Sequence, residues 1–216
     1  MNEDIFYDKF SRINPGSKIP LMGALTVSKK HKTFCFHIGK TGGSSIHKAL
    51  ADNGYDDGVL SSRTTSIEEK STYLKSVSEN YEDYFKFTFV RNKFEQLVSL
   101  YHYDKNGGLL GNASFEDFII HFVKDDDGLY GEWLNQYNLT HENGECVFDF
   151  IGRYEDYQNC ANFIMSSVGL PENSVPRVNV TKRDRKKHFS EYYTPETEDI
   201  VRKKFKEEIE YFGFGL

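Results

Sequence analysis

The sequence predicts a three-layer α/β domain with a central parallel sheet flanked by helices. Three short runs rich in apolar side chains, at 33–38, 85–90 and 146–151, are typical of buried strands. A segment with apolar residues at helical spacing follows each run. Strands that alternate with helices favour a parallel sheet covered on both faces. The 216 residues fit one domain, which we place at 33–216 after an irregular lead-in at 1–32.

The first strand ends in a loop rich in glycine and hydroxyl side chains, residues 39–45, with the sequence GKTGGSS. Ile46, Ala49 and Leu50 follow at helical spacing, so strand, loop and helix form one unit. A polar helix is expected further along, at 66–80.

The second strand, at 85–90, leads directly into Arg91 and Asn92. Asn92 is a predicted helix N-cap, with Glu95 three residues later in the position of a capping box. The helix that follows has an apolar stripe, which consists of Phe94, Leu97, Val98 and Tyr101.

Three more helices are expected in the second half of the chain. One opens at Ser114, and its apolar residues are Phe115, Phe118, Ile119 and Phe122. Another covers about 155–168, after the third strand. The last has Thr194 as N-cap and Pro195 at its first position. Its apolar face consists of Ile200, Val201, Phe205 and Ile209.

The composition restricts the class of partner. The formal net charge is −6 and the pI is about 5.7. A general nucleic-acid binder normally presents a basic face, so nucleic acid is not an expected partner. A small anionic ligand would therefore need a locally basic pocket.

Cysteine usage and hydropathy give two further expectations. Cys35, Cys146 and Cys160 are odd in number and lack zinc-ligand spacing, so we interpret them as small buried apolar residues. No run approaches ~18 apolar residues, and the N-terminus lacks the apolar core of a signal peptide. We expect a soluble, cytoplasmic protein with no membrane span, and a lumenal domain cut from a longer chain is the alternative.

Residues 39–45 have the chemistry of a phosphate-binding loop. Glycines between a strand and a helix let backbone N–H groups approach phosphate oxygens, and the helix N-terminus adds partial positive charge. Lys40 adds a cation, and three hydroxyl side chains follow it. The order differs from a Walker A loop, because Phe34 stands where that pattern needs glycine and Lys40 precedes the glycines. An ordinary glycine-rich turn is the alternative.

The end of the second strand supplies a second candidate element. The guanidinium of Arg91 suits bidentate recognition of a terminal phosphate. Ser99 lies eight residues later on the predicted helix, where its hydroxyl could complete that contact. The alternatives are an ion pair for Arg91 and an ordinary helix-surface serine for Ser99.

Together these motifs resemble the carbohydrate sulfotransferases of the family that includes heparan sulfate 2-O- and chondroitin 4-O-sulfotransferases and many bacterial relatives. Residues 36–46, FHIGKTGGSSI, are similar to the family's 5′-phosphosulfate loop. Residues 87–92, FTFVRN, continued by LVSLY at 97–101, are similar to its 3′-phosphate motif. The similarity extends to DFIGRYE at 149–155 and to 178–193.

The resemblance covers about 33–214 and implies a P-loop-type domain. It also implies sulfuryl transfer from 3′-phosphoadenosine-5′-phosphosulfate (PAPS) to a hydroxyl, with a carbohydrate as the expected acceptor and no metal required. By resemblance, Lys40 would contact the sulfate-bearing phosphate and the bridging oxygen, while Arg91 and Ser99 would bind the 3′-phosphate. The residues that would hold the 5′-phosphate are Thr41, Gly42, Gly43, Ser44 and Ser45.

Two other features have open roles in this comparison. Arg153 corresponds to a recurrent arginine of the family, as a cofactor contact or as part of an internal ion pair. The basic run 182–187 could close over the cofactor, or it could be a solvated loop.

The sequence also departs from the family. Gly39 and Lys93 stand where the family usually has proline, and neither change removes a ligand. Many members place a histidine between the two motifs, whereas the corresponding segment here, SSRTT at 61–65, has none.

The general base is therefore open. The expected catalytic residues are Lys40 and His102. We rank His102 first among the candidate bases, because it lies just beyond Ser99 on the same helix. His37 and His47 are further candidates, and a structural role is the alternative for all three histidines. Glu or Asp residues of the middle segment could serve as the base instead.

Two other functions compete with sulfuryl transfer. One is a catalytically degenerate nucleotide-binding or scaffold protein of the same fold. The other is a nucleotide kinase, which the missing Walker A order disfavours. Binding of adenosine 3′,5′-bisphosphate separates the sulfotransferase from the kinase, and turnover separates it from the degenerate protein.

Overall fold

A computed structural model of the chain describes residues 24–55, 81–125, 134–176 and 187–216. The helix expected at 66–80, the segment at 61–65 and all but the last residue of the basic run at 182–187 lie outside these ranges.

The described strands are β1 (Ala24–Ser28), β2 (Thr33–His37), β3 (Phe85–Val90), β4 (His141–Glu142), β5 (Glu145–Cys146) and β6 (Phe150–Arg153). The described helices are α1 (Gly43–Asp52), α2 (Lys93–Asn106), α3 (Phe115–Asp117), α4 (Tyr157–Ser167), α5 (Pro195–Lys204) and α6 (Lys206–Phe212). α3 continues as a π-helix at Phe118–Val123, and 3₁₀ turns lie at Tyr81–Asp83, Tyr154–Asp156 and Phe189–Tyr192.

The main sheet has the order β1-β2-β3-β6. β2 pairs parallel with β3, and β3 pairs parallel with β6, in a register that places Val90 opposite Arg153. The carboxyl ends of these three strands therefore meet at one edge of the sheet. The chain leaves that edge at Ile38, Arg91 and Tyr154, so the predicted glycine loop and the predicted phosphate-binding arginine start side by side.

Helices cover both faces of this sheet. Phe34 and Phe36 alternate along β2 with Cys35 and point to the opposite face. The first two belong to a core shared with α2, the π-helix, α5 and α6. Cys35 belongs to a second core, shared with α1 and α4. The expected α/β sheet flanked by helices is confirmed, with one antiparallel edge strand added to it.

That edge strand is a correction at the start of the chain. The lead-in predicted at 1–32 contains β1, which pairs antiparallel with the whole of β2. Thr26, Val27 and Ser28 are all buried, although two of them are polar. The sequence of β1 has no run of apolar residues from which a strand could be predicted. The strand is defined by its backbone pairing with β2.

The third predicted strand, at 146–151, is two separate elements. Glu145–Cys146 pairs with His141–Glu142 in a hairpin, and β6 begins only at Phe150. Asn143 and Gly144 have φ values of 54° and 82°, which suit a tight hairpin turn. An asparagine–glycine pair is a sequence signal for a β-hairpin. The prediction followed the apolar run at 146–151 and did not use this signal.

The cysteines only partly match their predicted role. Cys35 is buried, whereas Cys160 is half-buried and Cys146 is exposed on the hairpin. The prediction that all three are buried apolar residues is therefore wrong for Cys146, because β5 lies outside the main sheet.

The predicted helix signals are largely confirmed. The side chain of Asn92 caps α2 by accepting from the N–H of Phe94 (3.0 Å). Its own N–H, which a capping box would direct to Glu95, donates instead to Oε1 of Glu155 (2.5 Å). Ser114 caps α3 in a capping box with Asp117.

The start of the last predicted helix is confirmed, but the structure has two consecutive helices in place of one. Thr194 is the N-cap of α5, and Pro195 is its first residue. The helix breaks at Phe205, whose φ of −110° is not helical, and continues as α6. Neither proline nor glycine lies at this break, and the Phe205 side chain is buried there.

Across the described ranges, every helix falls short of the length and apolarity that crossing a membrane requires.

Candidate anion-binding site

The glycine loop lies between β2 and α1, at the carboxyl edge of the parallel strands. Lys40 and Gly42 have positive φ values of 65° and 88°, so the chain turns sharply twice. The Thr41 hydroxyl donates to the carbonyl of Ile38 (2.8 Å). Gly42 is the N-cap of α1, which has no acidic residue in its first turn. The N-terminus of α1 therefore presents a positive partial charge to the loop.

Two glycines are required by close packing around this loop. A Cβ on Gly43 would lie 2.1 Å from Cδ2 of His37, and a Cβ on Gly42 would lie 2.8 Å from Cε2 of Tyr157. The Tyr157 hydroxyl donates to the carbonyl of Gly42 (3.0 Å). His37 and Tyr157 thus support the loop from behind, and neither position has room for a larger residue.

Replacing Gly43 by alanine is expected to destabilise the protein by about 1–3 kcal/mol, because the new methyl group overlaps the His37 ring. Equilibrium unfolding in urea measures this loss. In a His37→Ala background the same change should cost much less, since the clashing ring is gone. Equal costs in the two backgrounds would show that the clash is not the cause.

The other predicted loop residues surround the same turn. Thr41 and Ser45 are buried, and Ser44 is half-buried. The Ser45 side chain is hydrogen-bonded to Tyr157. All five residues predicted to hold the 5′-phosphate thus lie in the loop or the first turn of α1. Their contact with a phosphate stays a prediction.

Lys40 projects from the loop toward α2. Its Nζ lies 4.0 Å from the centre of the Tyr103 ring. Burial and the charge of Arg91 lower the pKa of Lys40 to about 8, and Asp104 opposes this shift. A partly desolvated ammonium at the edge of the sheet is well suited to an anionic ligand.

Arg91 is buried and lies directly beside Lys40. Its NH1 donates to the Lys40 carbonyl (3.0 Å), and its NH2 pairs with Oε1 of Glu95 (2.8 Å). The guanidinium carbon lies 3.9 Å from the centre of the Tyr154 ring. Within the described residues, Nε of Arg91 is buried without a hydrogen-bond partner. The guanidinium is held in one orientation and retains unused donor capacity.

Ser99 lies on the face of α2 that borders this pair. It is buried, one turn after Glu95 and one turn before Tyr103. Those two neighbours contact Arg91 and Lys40 respectively. Ser99 therefore lies on the face of α2 between the contacts of the two cations, and its contact with a phosphate stays a prediction.

The three candidate histidines differ in environment. His102 is half-buried on α2, and its Nε2 is 2.9 Å from the Tyr192 hydroxyl. Burial lowers the pKa of His37 to about 3, with further contributions from His47 and Lys40. Burial also lowers the pKa of His47 to about 4. His37 and His47 are thus weak bases, with their rings 5.3 Å apart.

Arg153 contacts the C-terminal segment. Its NH2 donates to the carbonyl of Phe212 (2.6 Å), and its guanidinium carbon lies 5.7 Å from the Phe214 ring centre. This carbonyl is at the end of α6, where a cation is favourable. Of the two roles left open, the geometry favours the internal one, although its partner is a helix end and not an acid.

Several residues of the site were not predicted from sequence. Tyr154 and Tyr103 stack on the two cations, and Gln136 binds the Arg91 backbone. The helical spacing from Ser99 to Tyr103 was a usable signal. Tyr154 follows β6 directly, and parallel pairing with β3 places it next to Arg91.

The fold and this site define a class: an α/β protein with a cationic glycine loop at the carboxyl edge of parallel strands, typical of proteins that bind phosphorylated ligands. A model of the sulfotransferase family matches residues 24–215. The chain therefore belongs to the sulfotransferase family.

The chain also aligns with two individual proteins. The chain is 32% identical over 106 residues to an uncharacterized protein of Archaeoglobus fulgidus, an alignment that covers 48% of this chain and 83% of that protein. It is 29% identical over 116 residues to carbohydrate sulfotransferase 14 of Danio rerio, covering 42% of this chain and 31% of that protein. No solved structure gave a significant match.

Proposed function

We propose that this protein transfers a sulfuryl group from PAPS to a hydroxyl of a carbohydrate, on a P-loop-type domain. The observation that carries the proposal is the juxtaposition of Lys40 and Arg91, joined by a 3.0 Å hydrogen bond at the edge of the sheet. Membership of the sulfotransferase family supports the reaction. The carbohydrate acceptor is supported by the name of the Danio rerio relative.

In this proposal the two ends of the donor bind to different elements. The 5′-phosphosulfate lies on the loop at 39–45, where backbone N–H groups and hydroxyls surround it. The 3′-phosphate binds Arg91 and Ser99, and it competes with Glu95 for the guanidinium. The stacking of Arg91 on Tyr154 fixes the plane of the guanidinium for bidentate contact.

Transfer follows the logic of phosphoryl transfer. The acceptor oxygen attacks sulfur in line, the bond from sulfur to the bridging oxygen breaks, and adenosine 3′,5′-bisphosphate leaves. Negative charge grows on the bridging oxygen, where the Lys40 ammonium stabilises it. We assign the acceptor's proton to His102, since burial makes His37 and His47 weak bases.

Calorimetric titration with adenosine 3′,5′-bisphosphate tests the donor site. Wild-type protein should bind the bisphosphate more tightly than ATP, and Arg91→Ala should weaken bisphosphate binding by about 10- to 100-fold, the value of charge-assisted hydrogen bonds. Arg202→Ala is a matched control, because Arg202 also pairs with a glutamate four residues away and lies 5.1 Å from an aromatic ring centre. It should bind like wild type.

The outcomes separate the competing functions. Folded wild-type protein that prefers ATP would favour the nucleotide kinase, and binding of neither ligand would refute the donor site. Bisphosphate binding without turnover on any of a panel of carbohydrate acceptors would favour the catalytically degenerate protein.

Binding should also depend on pH through Lys40. The pKa of Lys40 is about 8 in the free protein, so the side chain is charged below this pH and neutral above it. Affinity for the bisphosphate should fall by only about twofold from pH 7 to 8 and then more steeply, toward about tenfold per pH unit. Titrations from pH 7 to 9.5 measure this, and Lys40→Met should remove the decline. A decline that persists in Lys40→Met would assign it to another group.

A further inference from the structure

A chain of buried polar side chains connects the C-terminal helix to both parts of the donor site. Its four members are fully buried: Lys93, Gln96, Gln136 and Glu208. Lys93 and Gln96 are on α2, Glu208 is on α6, and Gln136 precedes the hairpin. Burying polar groups costs free energy unless each has a hydrogen-bond partner. The partners of these four side chains therefore indicate their role.

One end of the chain holds the Arg91 backbone. The Arg91 N–H donates to Oε1 of Gln136 (2.7 Å), and Nε2 of Gln136 donates to the Arg91 carbonyl (2.8 Å). Glu208 in turn fixes Gln136, since its two carboxylate oxygens accept from the Gln136 backbone N–H (2.7 Å) and from Nε2 (2.5 Å).

The other end holds the glycine loop. Nε2 of Gln96 donates to the Gly39 carbonyl (2.8 Å), and its Oε1 accepts from Nζ of Lys93 (2.7 Å). Lys93 also donates to the Leu134 carbonyl (2.5 Å). The chain closes where Nζ of Lys93 and Oε1 of Glu208 form an ion pair at 3.1 Å.

We propose that the buried pair Lys93–Glu208 is a positioning pair for donor binding: through Gln136 and Gln96 it sets the distance between the Arg91 backbone and the Gly39 carbonyl. The inference rests on the proposed function, because it takes Arg91 and the loop as the two phosphate contacts. Neither Lys93 nor Glu208 touches the donor. Glycine at position 39 needs such support, since its backbone is the least constrained of any residue.

The test replaces the whole pair with apolar side chains of similar size, Lys93→Met with Glu208→Leu, so that no unpaired charge is left buried. Circular dichroism and a thermal melt first establish that the variant is folded at the temperature of titration. Affinity for adenosine 3′,5′-bisphosphate is then measured by calorimetry, and we expect a loss of at least tenfold. The exposed pair Lys203–Asp199, changed to Met and Leu, is the control and should bind like wild type.

A second background separates positioning from a structural role. If the Lys93–Glu208 pair acts through Arg91, replacing the pair should lower bisphosphate affinity much less in the Arg91→Ala variant than in the wild-type protein. A folded double variant that binds like wild type would overturn the inference while leaving the proposed function intact. Wild-type protein that fails to bind would instead refute the proposed function.

A milder variant covers the case in which the double variant does not fold. Gln96→Leu removes only the neutral link between Lys93 and Gly39, and it should lower bisphosphate affinity about tenfold in folded protein. The amide proton of Arg91 provides a readout without ligand: its hydrogen exchange should accelerate when Gln136 is replaced by leucine. Unchanged affinity in folded Gln96→Leu would contradict the link to the loop.

Discussion

Replacing Lys40 by methionine is expected to lower turnover by about 10²- to 10³-fold, the usual effect of removing one group that stabilises developing negative charge. Methionine keeps the apolar length of the side chain, which packs beside the Tyr103 ring, and removes only the ammonium. Donor affinity should also fall, since the charge of Lys40 contributes to binding, but kcat should fall further because the charge on the bridging oxygen grows as the bond breaks.

The measurement is transfer of sulfate from labelled PAPS to an acceptor identified by screening. Lys48→Met is the control, since Lys48 lies on α1 close to the loop but pairs at the surface with Asp52. It should retain full turnover. Unchanged kcat in Lys40→Met would exclude this residue as the group that stabilises the leaving oxygen.

Replacing Lys93 alone by methionine is expected to lower the free energy of unfolding by about 3–5 kcal/mol, because Glu208 is left as an unpaired buried charge. Two acceptors, on Gln96 and Leu134, also lose their donor. Unfolding in urea followed by circular dichroism measures the change. Lys203→Met should alter stability by less than about 0.5 kcal/mol, because its ion pair is exposed.

The loss in Lys93→Met should also depend on pH. Burial raises the pKa of Glu208, and Lys93 opposes that shift, so removing the lysine raises this pKa further. A folded-state pKa above the unfolded value gives stability at low pH that is lost as pH rises through the folded pKa. The variant should therefore be closest to wild type in mild acid. A destabilisation independent of pH would show that lost hydrogen bonds, and not the orphaned carboxylate, dominate.

Sequence patterns predicted those residues of the site that come directly after the end of a strand. Strand β3 was predicted with the observed ends, and β2 nearly so, because their apolar runs stop where the polar motifs begin. Parallel pairing then brings Arg91 next to the glycine loop without any further information. The same logic failed for the hairpin, where the turn signal at Asn143 and Gly144 lies just before the apolar run and part of that run, Cys146, pairs in the hairpin.

The buried network was harder to predict because its contacts join residues far apart in the chain. Lys93 and Glu208 lie in segments whose charges suggest a solvent-exposed surface. One signal was available for Glu208: it lies three residues after Phe205 and four before Phe212, on the apolar face of the last helix. A charged residue on such a face requires a buried partner, although the sequence does not show which.

The wide separation of these contacts has a consequence for biosynthesis. The chain emerges from the ribosome from its N-terminus, so the sheet strands and the glycine loop are made long before Glu208. Only when α6 is available can its carboxylate fix Gln136 and neutralise Lys93. A nascent chain without α6 has the strands β1, β2, β3 and β6 but lacks the carboxylate that fixes Gln136 and pairs with Lys93.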